Sequence, residues 1–226
     1  MLPIFVCAVF CYASVPQLMT FTVQQGSAMD TRVGPISNIP TATLLLIPVI
    51  LQMLLLAAYD RFFVPVARAI SGYRSGITHL QRVAVGFATT ALALLVAGAV
   101  EWKRKRSTRP VSVLWLGAQF LGLGAVDAFI FVGLLEFFNS EVSKGMKSLG
   151  TAVFWCIVGL ASLLGSVLVQ AVNRVTGWLK GNDLNQNYLD RYYWLLSFIG
   201  MAGFLTHLFL AKRYVYRQNP RINLLS

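Results

Sequence analysis

Residues 122 to 138 read Gly-Leu-Gly-Ala-Val-Asp-Ala-Phe-Ile-Phe-Val-Gly-Leu-Leu-Glu-Phe-Phe, placing the carboxylate of Asp127 deep in an apolar run. An acid in such a setting can pair with a cation, share a proton with a second acid, or carry a proton itself. Glu136 is the nearest second acid. Nine residues of helix set the two about 13 Å apart along the axis and about 180° around it. They point to opposite sides, so no dyad is expected. Every Lys and Arg falls in a connection or at the end of an apolar run, which leaves Asp127 without a cation at its depth. Three readings stand at this point: Asp127 is protonated part of the time, its partner belongs to protein outside this chain, or it is neutral and hydrogen-bonded to a neighbouring helix.

A second polar set lies near the start. At about 100° per residue, Ser14, Gln17, Thr20 and Gln24 share an arc of roughly 120°, while Phe5, Val6, Val9 and Phe10 supply the apolar bulk elsewhere. Such an arc is either a packing stripe, since side-chain amides bridge membrane helices, or the wall of a water-filled cavity. Metal and cofactor chemistry is not expected. Cys7, Cys11 and Cys156 lie inside apolar runs and read as small buried hydrophobes, and there are only two His, with no Cys-x-x-Cys or His-x-x-x-His. No nucleophile and base share a helix face at depth, so an enzyme is not expected either.

The elements that must position these residues are membrane helices. Hydrophobic residues make up 57% of the 226 and charged ones 12%, against about a quarter charged in soluble domains; the mean hydropathy is +0.66. Six apolar runs, at about 2–25, 39–58, 83–100, 111–135, 149–172 and 192–211, each approach the roughly 20 residues that cross a bilayer. The expected fold is therefore an all-α membrane protein, residues 1–226 forming a single six-helix bundle. The net charge of +11 is spread over short segments between the runs, which fits a membrane surface and not a nucleic acid partner. The first run is longer than a signal-peptide core and no basic residue precedes it, so it reads as a true span. Its start directly after Met1 raises the expectation of further chain upstream.

Pro16 should bend span one, and span two carries Pro40 in its first turn and Pro48 inside it. Residues 26–38 read as a polar turn, 59–82 as a connection with a short amphipathic piece, and Glu101 to Arg106 as a solvated interfacial run. Span five carries small residues in pairs at 161/165 and 162/166, a signature of close helix packing. Orientation is not set by charge: one face collects ten Lys and Arg and the other nine, where the positive-inside rule needs an imbalance. Taken as two triplets, the spans place depth polarity on the first helix of each, Gln17 and Asp127. Three-helix repeats around a midplane site are a transporter pattern.

Several stretches resemble, in order along the chain, the plant nitrate and peptide transporter family, part of the proton-dependent oligopeptide transporters of the major facilitator superfamily. They are Gln17-Leu-Met-Thr-Phe-Thr-Val-Gln-Gln-Gly26, Tyr59-Asp-Arg-Phe-Phe-Val-Pro-Val-Ala-Arg68, Gly76-Ile-Thr-His-Leu-Gln-Arg82, Gly133-Leu-Leu-Glu-Phe-Phe138, Met146-Lys-Ser-Leu-Gly-Thr151, Leu189-Asp-Arg-Tyr-Tyr-Trp-Leu-Leu196 and Lys212-Arg-Tyr-Val-Tyr216. The resemblance implies that these are helices 7 to 12 of a twelve-helix symporter for protons and a small solute, with both ends cytosolic and the N-terminal six-helix half as partner. It implies a plasma-membrane or vacuolar location.

On this resemblance Asp127 matches an acidic position of the tenth helix, usually Glu, that faces the central cavity and couples to a lysine of the N-terminal half. Gln17, Ser14, Gln24 and Phe131 then belong to the substrate and proton cavity, and Asp60, Arg61 and Arg68 to a cytosolic gate. Val15 stands where nitrate-selective members carry histidine, which counts against nitrate binding by that route. The Glu-x-x-Glu-Arg proton-coupling motif belongs to the first helix and is not found in this chain. Family substrates include nitrate, short peptides, amino acids and plant hormones. The competing expectation is a truncated membrane fragment or interaction module that transports nothing.

Overall fold

The structure, a computed structural model, describes residues 2–31, 40, 43–44, 46–71, 76–108, 110–142, 145, 147–181, 184 and 187–215. Most of the turn expected at 26–38 falls outside these residues, as do Arg32, Arg74, Arg109, Lys144, Arg217 and Arg221 and the tail after Val215.

Six helical spans of membrane length emerge: Leu2–Ser27, Leu46–Ile70, His79–Arg106, Val113–Glu141, Ser148–Thr176 and Leu189–Arg213. Among the described residues the only β pairing is an isolated bridge between Asp30 and Ser112, which ties the exit of span one to the entry of span four. The spans overlap the six apolar runs, and their ends are set by local chemistry. Span one is two helices, α1 (Leu2–Tyr12) and α2 (Ser14–Ser27). Pro16 has no N–H to offer the Tyr12 carbonyl, and the break falls at Ala13.

Span two runs further than the sequence expectation. Its α3 (Leu46–Ala58) continues through a π-helical turn, Tyr59–Phe63, into α4 (Val64–Ser71). The amphipathic piece expected in a connection is thus continuous with the span. Pro65 lacks the N–H that would bond the Arg61 carbonyl, and Val64 N–H instead reaches back five residues to Tyr59.

Span three is α5 (His79–Arg106), and it starts four residues before the apolar run does. Thr78 and Gln81 form a capping box, side chain to backbone in both directions, and so fix the first turn ahead of the hydrophobic sequence. Span four opens with a 3-10 turn and contains α6 (Gly117–Val126), a second π-helical turn, Asp127–Phe131, and α7 (Val132–Glu141). Spans five and six are α8 (Lys147–Thr176) and α9 (Leu189–Arg213).

Two apolar clusters stack along the bundle axis. One, at the end that carries residues 2 and 213, gathers Ile4, Phe87, Phe137, Phe138 and Phe154; the other gathers Leu18, Leu94, Leu116, Tyr192 and Tyr193. Burial is uneven among the spans. The apolar windows of spans one and three are 61% buried, those of five and six 22%, and that of span two only 11%; span two packs along one side, where α6 approaches it at Gly124. The small pair at 161/165 packs as expected: a Cβ on Gly165 would stand 2.8 Å from the Ala13 carbonyl and 2.7 Å from Gln17 Nε2.

Two expectations are corrected. The Glu101–Arg106 run is not wholly solvated, for Glu101 is fully buried and Arg104 nearly so, joined by two hydrogen bonds of 2.8 and 2.7 Å. The last turns of α5 are covered by α9, and the pair neutralises itself within one turn. Cys156 is exposed, whereas Cys7 and Cys11 are buried, because Cys156 lies on the outward side of a span that is itself little covered.

Candidate functional site

Asp127 occupies the midpoint of span four, Val113–Glu141, and opens the π-helical turn there. It is 9% exposed, and among the described residues no hydrogen bond or ion pair reaches its carboxylate. Tyr12, the last residue of α1, lies within electrostatic reach of it. Tyr12 precedes the helix break of span one, where its carbonyl has lost its ordinary helical donor to Pro16.

The other expected cavity residues divide. Gln17 and Gln24 line one cavity of about 950 Å³ together with Thr20 and Ser27 of α2, Ser166, Gln170 and Asn173 of α8, and Asn187. Its side chains carry amides and hydroxyls but no formal charge, so its wall can hydrogen-bond water or a solute without selecting a sign of charge. Ser14 and Asp127 do not line it. Ser14 is buried and its hydroxyl donates to the Cys11 carbonyl at 3.2 Å, bracing the break at Ala13. Phe131 closes the Asp127 turn, and its ring packs on Phe154 at 4.7 Å and Trp155 at 6.0 Å. Asp60 and Arg61 stand exposed on the span-two π turn, and Arg68 is exposed on α4. All three lie toward the end of the bundle where residues 2 and 213 also lie.

Sequence reasoning missed a charge centre. Arg82, which the apolar run placed in a connection, lies inside the first turn of α5, nearly fully buried, and pairs with Glu136 at 3.1 Å. His79 Nδ1 lies 3.4 Å from the same carboxylate oxygen. The signal was present in Thr78-His-Leu-Gln81, a capping-box sequence that moves the helix start upstream and so carries Arg82 into the membrane bundle. Among the described residues no group of three or more His, Cys, Asp or Glu is placed to hold a metal ion.

Six helices of membrane length, two of them interrupted by π-helical turns, define a multi-pass membrane protein. Residues 1–188 match the family model of the POT family, and the chain belongs to that family. Protein NRT1/PTR FAMILY 4.6 of Arabidopsis thaliana is 41% identical over 234 residues, covering 96% of this chain and 40% of its own length. Protein NRT1/PTR FAMILY 4.7 of the same plant is 39% identical over 240 residues, covering 96% and 41%. The chain thus spans about 40% of the length of these curated relatives. The crystal structure of an auto-inhibited POT family peptide transporter superposes with a TM-score of 0.79 at 19% identity, covering 98% of this chain and 42% of that one. That likeness establishes the six-helix fold.

Proposed function

We propose that this chain supplies helices 7 to 12 of a proton-coupled symporter for a small solute, and that it is a transporter component and not an enzyme. The solute class is nitrate, short peptides, amino acids or hormone-like organic anions, and the membrane is the plasma or vacuolar membrane. The partner is a six-helix N-terminal half that closes the other side of the central cavity. Gln17, Gln24, Ser14 and Phe131 belong to the cavity side of this half, and Asp60, Arg61 and Arg68 to a cytosolic gate.

The observation that supports this most is Asp127: a carboxylate at mid-span, with no cation among the described residues to neutralise it. Holding a charge at that depth costs about 2.5–3.5 kcal/mol on insertion scales. The cost falls away when the acid is protonated or when a cation from the other half meets it. Exchange between those two states, in step with which side of the membrane the cavity faces, lets a proton gradient drive a solute. The uncharged amide wall of Gln17 and Gln24 would then hold the solute, leaving its charge to Asp127 and the opposite half.

The test is uptake in proteoliposomes under an imposed pH gradient. The chain joined to a family N-terminal half is expected to accumulate solute, and the chain alone is not. A correctly folded joined protein that accumulates none of the four solute classes would leave the non-transporting fragment or interaction module as the reading.

A further inference from the structure

We infer that Arg82 is a positioning residue that couples the gate segment of span two to the turn that carries Asp127. The inference deepens the transporter reading, and its first test is independent of transport.

The π-helical turns Tyr59–Phe63 and Asp127–Phe131 meet at one guanidinium. Arg82 is 5% exposed, and its three contacts go to two other spans. Nη2 donates to the Ala128 carbonyl at 3.2 Å, inside the turn opened by Asp127. Nη1 donates to Glu136 Oε2 at 3.1 Å, about two turns further along span four. Its face lies 4.4 Å from the ring of Tyr59, the first residue of the π turn that carries Asp60 and Arg61. The Tyr59 ring in turn meets Phe129 edge-on at 5.7 Å, so the two turns touch each other beside the cation that touches both.

Each contact has a reason. A π turn widens the helical ladder and leaves a carbonyl short of its usual donor, and Arg82 supplies that donor from another helix. The planar fork of a guanidinium can bond two acceptors in its plane while its face rests on an aromatic ring. A lysine ammonium, a compact charge, cannot hold that geometry. One turn beyond Arg82, Gly86 lets α5 run directly against the same turn: a Cβ there would stand 2.4 Å from Ile130 Cγ1 and 3.0 Å from the Ile130 nitrogen. Movement of Tyr59 with the gate segment therefore reaches the backbone next to Asp127 through a rigid side chain, with Glu136 holding the guanidinium in place. Neither π turn needs to contact Asp60 or Arg61 with Asp127 for the two regions to move together.

The test reads amide hydrogen exchange of the whole chain in lipid nanodiscs, at peptides covering residues 59–63, 127–131 and, as a control, the α9 segment around Tyr192 and Tyr193. Arg82→Lys is expected to speed exchange at 59–63 and 127–131 by threefold or more and to leave the α9 control unchanged. Tyr59→Leu alone is expected to speed exchange at 127–131, a different span, and to add nothing there once Arg82→Lys is present. Equal effects of Tyr59→Leu in both backgrounds, or no change at 127–131 in either single variant, would overturn the inference. In the joined transporter, Arg82→Lys is expected to move the pH profile of uptake. Transport with an unmoved profile would also overturn the link to Asp127, whereas failure of the unaltered joined protein to transport bears on the transporter reading alone, because exchange is measured on this chain.

Discussion

Two buried acids, one without a cation beside it and one paired, show what single residues do in this bundle. Asp127 is buried and has no partner among the described residues, while Glu101 is fully buried and holds Arg104 by two short hydrogen bonds. Removing one charge should therefore have opposite consequences at the two sites. Asp127→Asn keeps the shape and deletes the charge, so it is expected to leave the thermal unfolding temperature of the chain unchanged or raised. In the joined transporter the same variant is expected to abolish acid-driven accumulation, and Asp127→Glu should retain more of it than Asn does. Full accumulation by the Asn variant across an imposed pH gradient would make Asp127 structural. Glu101→Gln removes the charge that two hydrogen bonds of the buried Arg104 guanidinium meet, and breaking such a pair costs about 3–5 kcal/mol, a loss visible in thermal unfolding in detergent. Replacing both partners, Glu101→Gln with Arg104→Met, should recover most of it. Asp127 was legible in the sequence because a lone acid in a spanning run is rare. The Glu101–Arg104 pair was hidden by its neighbours: four consecutive basic residues, 103 to 106, read as a solvated run, and only the packing of α9 on α5 shows that one face of it is buried.

Helix irregularities place these side chains, and their causes are local. Pro16 and Pro65 each withdraw one N–H from the ladder, which accounts for the break at Ala13 and the π turn at Tyr59–Phe63. The Asp127–Phe131 turn has no proline within it, and its visible support is tertiary: Arg82 on the Ala128 carbonyl and α5 pressed against Ile130 at Gly86. Pro16 made the first irregularity legible in the sequence, whereas Pro65 fell in what read as a connection and no residue type marks the third. The close approach yields a prediction. Gly86→Ala forces a methyl into space held by Ile130, and overpacking of that kind costs about 1–3 kcal/mol. Gly159→Ala is the matched control, since a Cβ there meets nothing within 4 Å, and replacing glycine in a helix gains about 0.5–1 kcal/mol. Thermal unfolding of the two variants of this chain should move in opposite directions. A Gly86→Ala protein as stable as the parent would show that the turn can shift to admit the methyl, and that α5 does not fix its position.

At the scale of the whole molecule, composition and periodicity fixed the number of spans, but nothing in the charge distribution oriented them. Assigned by the sequence's apolar runs, ten basic residues fall to one face and nine to the other, so the positive-inside rule has no lever here. The reason is visible in the structure: several basic side chains serve packing and not topology, with Arg82 and Arg104 buried in ion pairs and Lys103 over the Trp115 ring at 3.2 Å. The orientation proposed above puts the Asp60, Arg61 and Arg68 end in the cytosol. The two ends of the bundle offer exposed positions to test it, Arg68 at one and Ser27 at the other. In a variant whose Cys7, Cys11 and Cys156 are replaced by serine or alanine, a single cysteine at 68 is expected to react with a membrane-impermeant maleimide only in inside-out vesicles. A single cysteine at 27 is expected to react only in right-side-out vesicles, and because Ser27 lines the polar cavity, its labelling also reports whether that cavity opens to the outside. Reversal of both patterns would put the gate segment outside the cell and remove the cytosolic gate assignment, while leaving the six-helix fold and the coupling through Arg82 as they stand. Labelling of position 27 that slows when solute is added to the joined transporter would tie the amide-lined wall to the transport path.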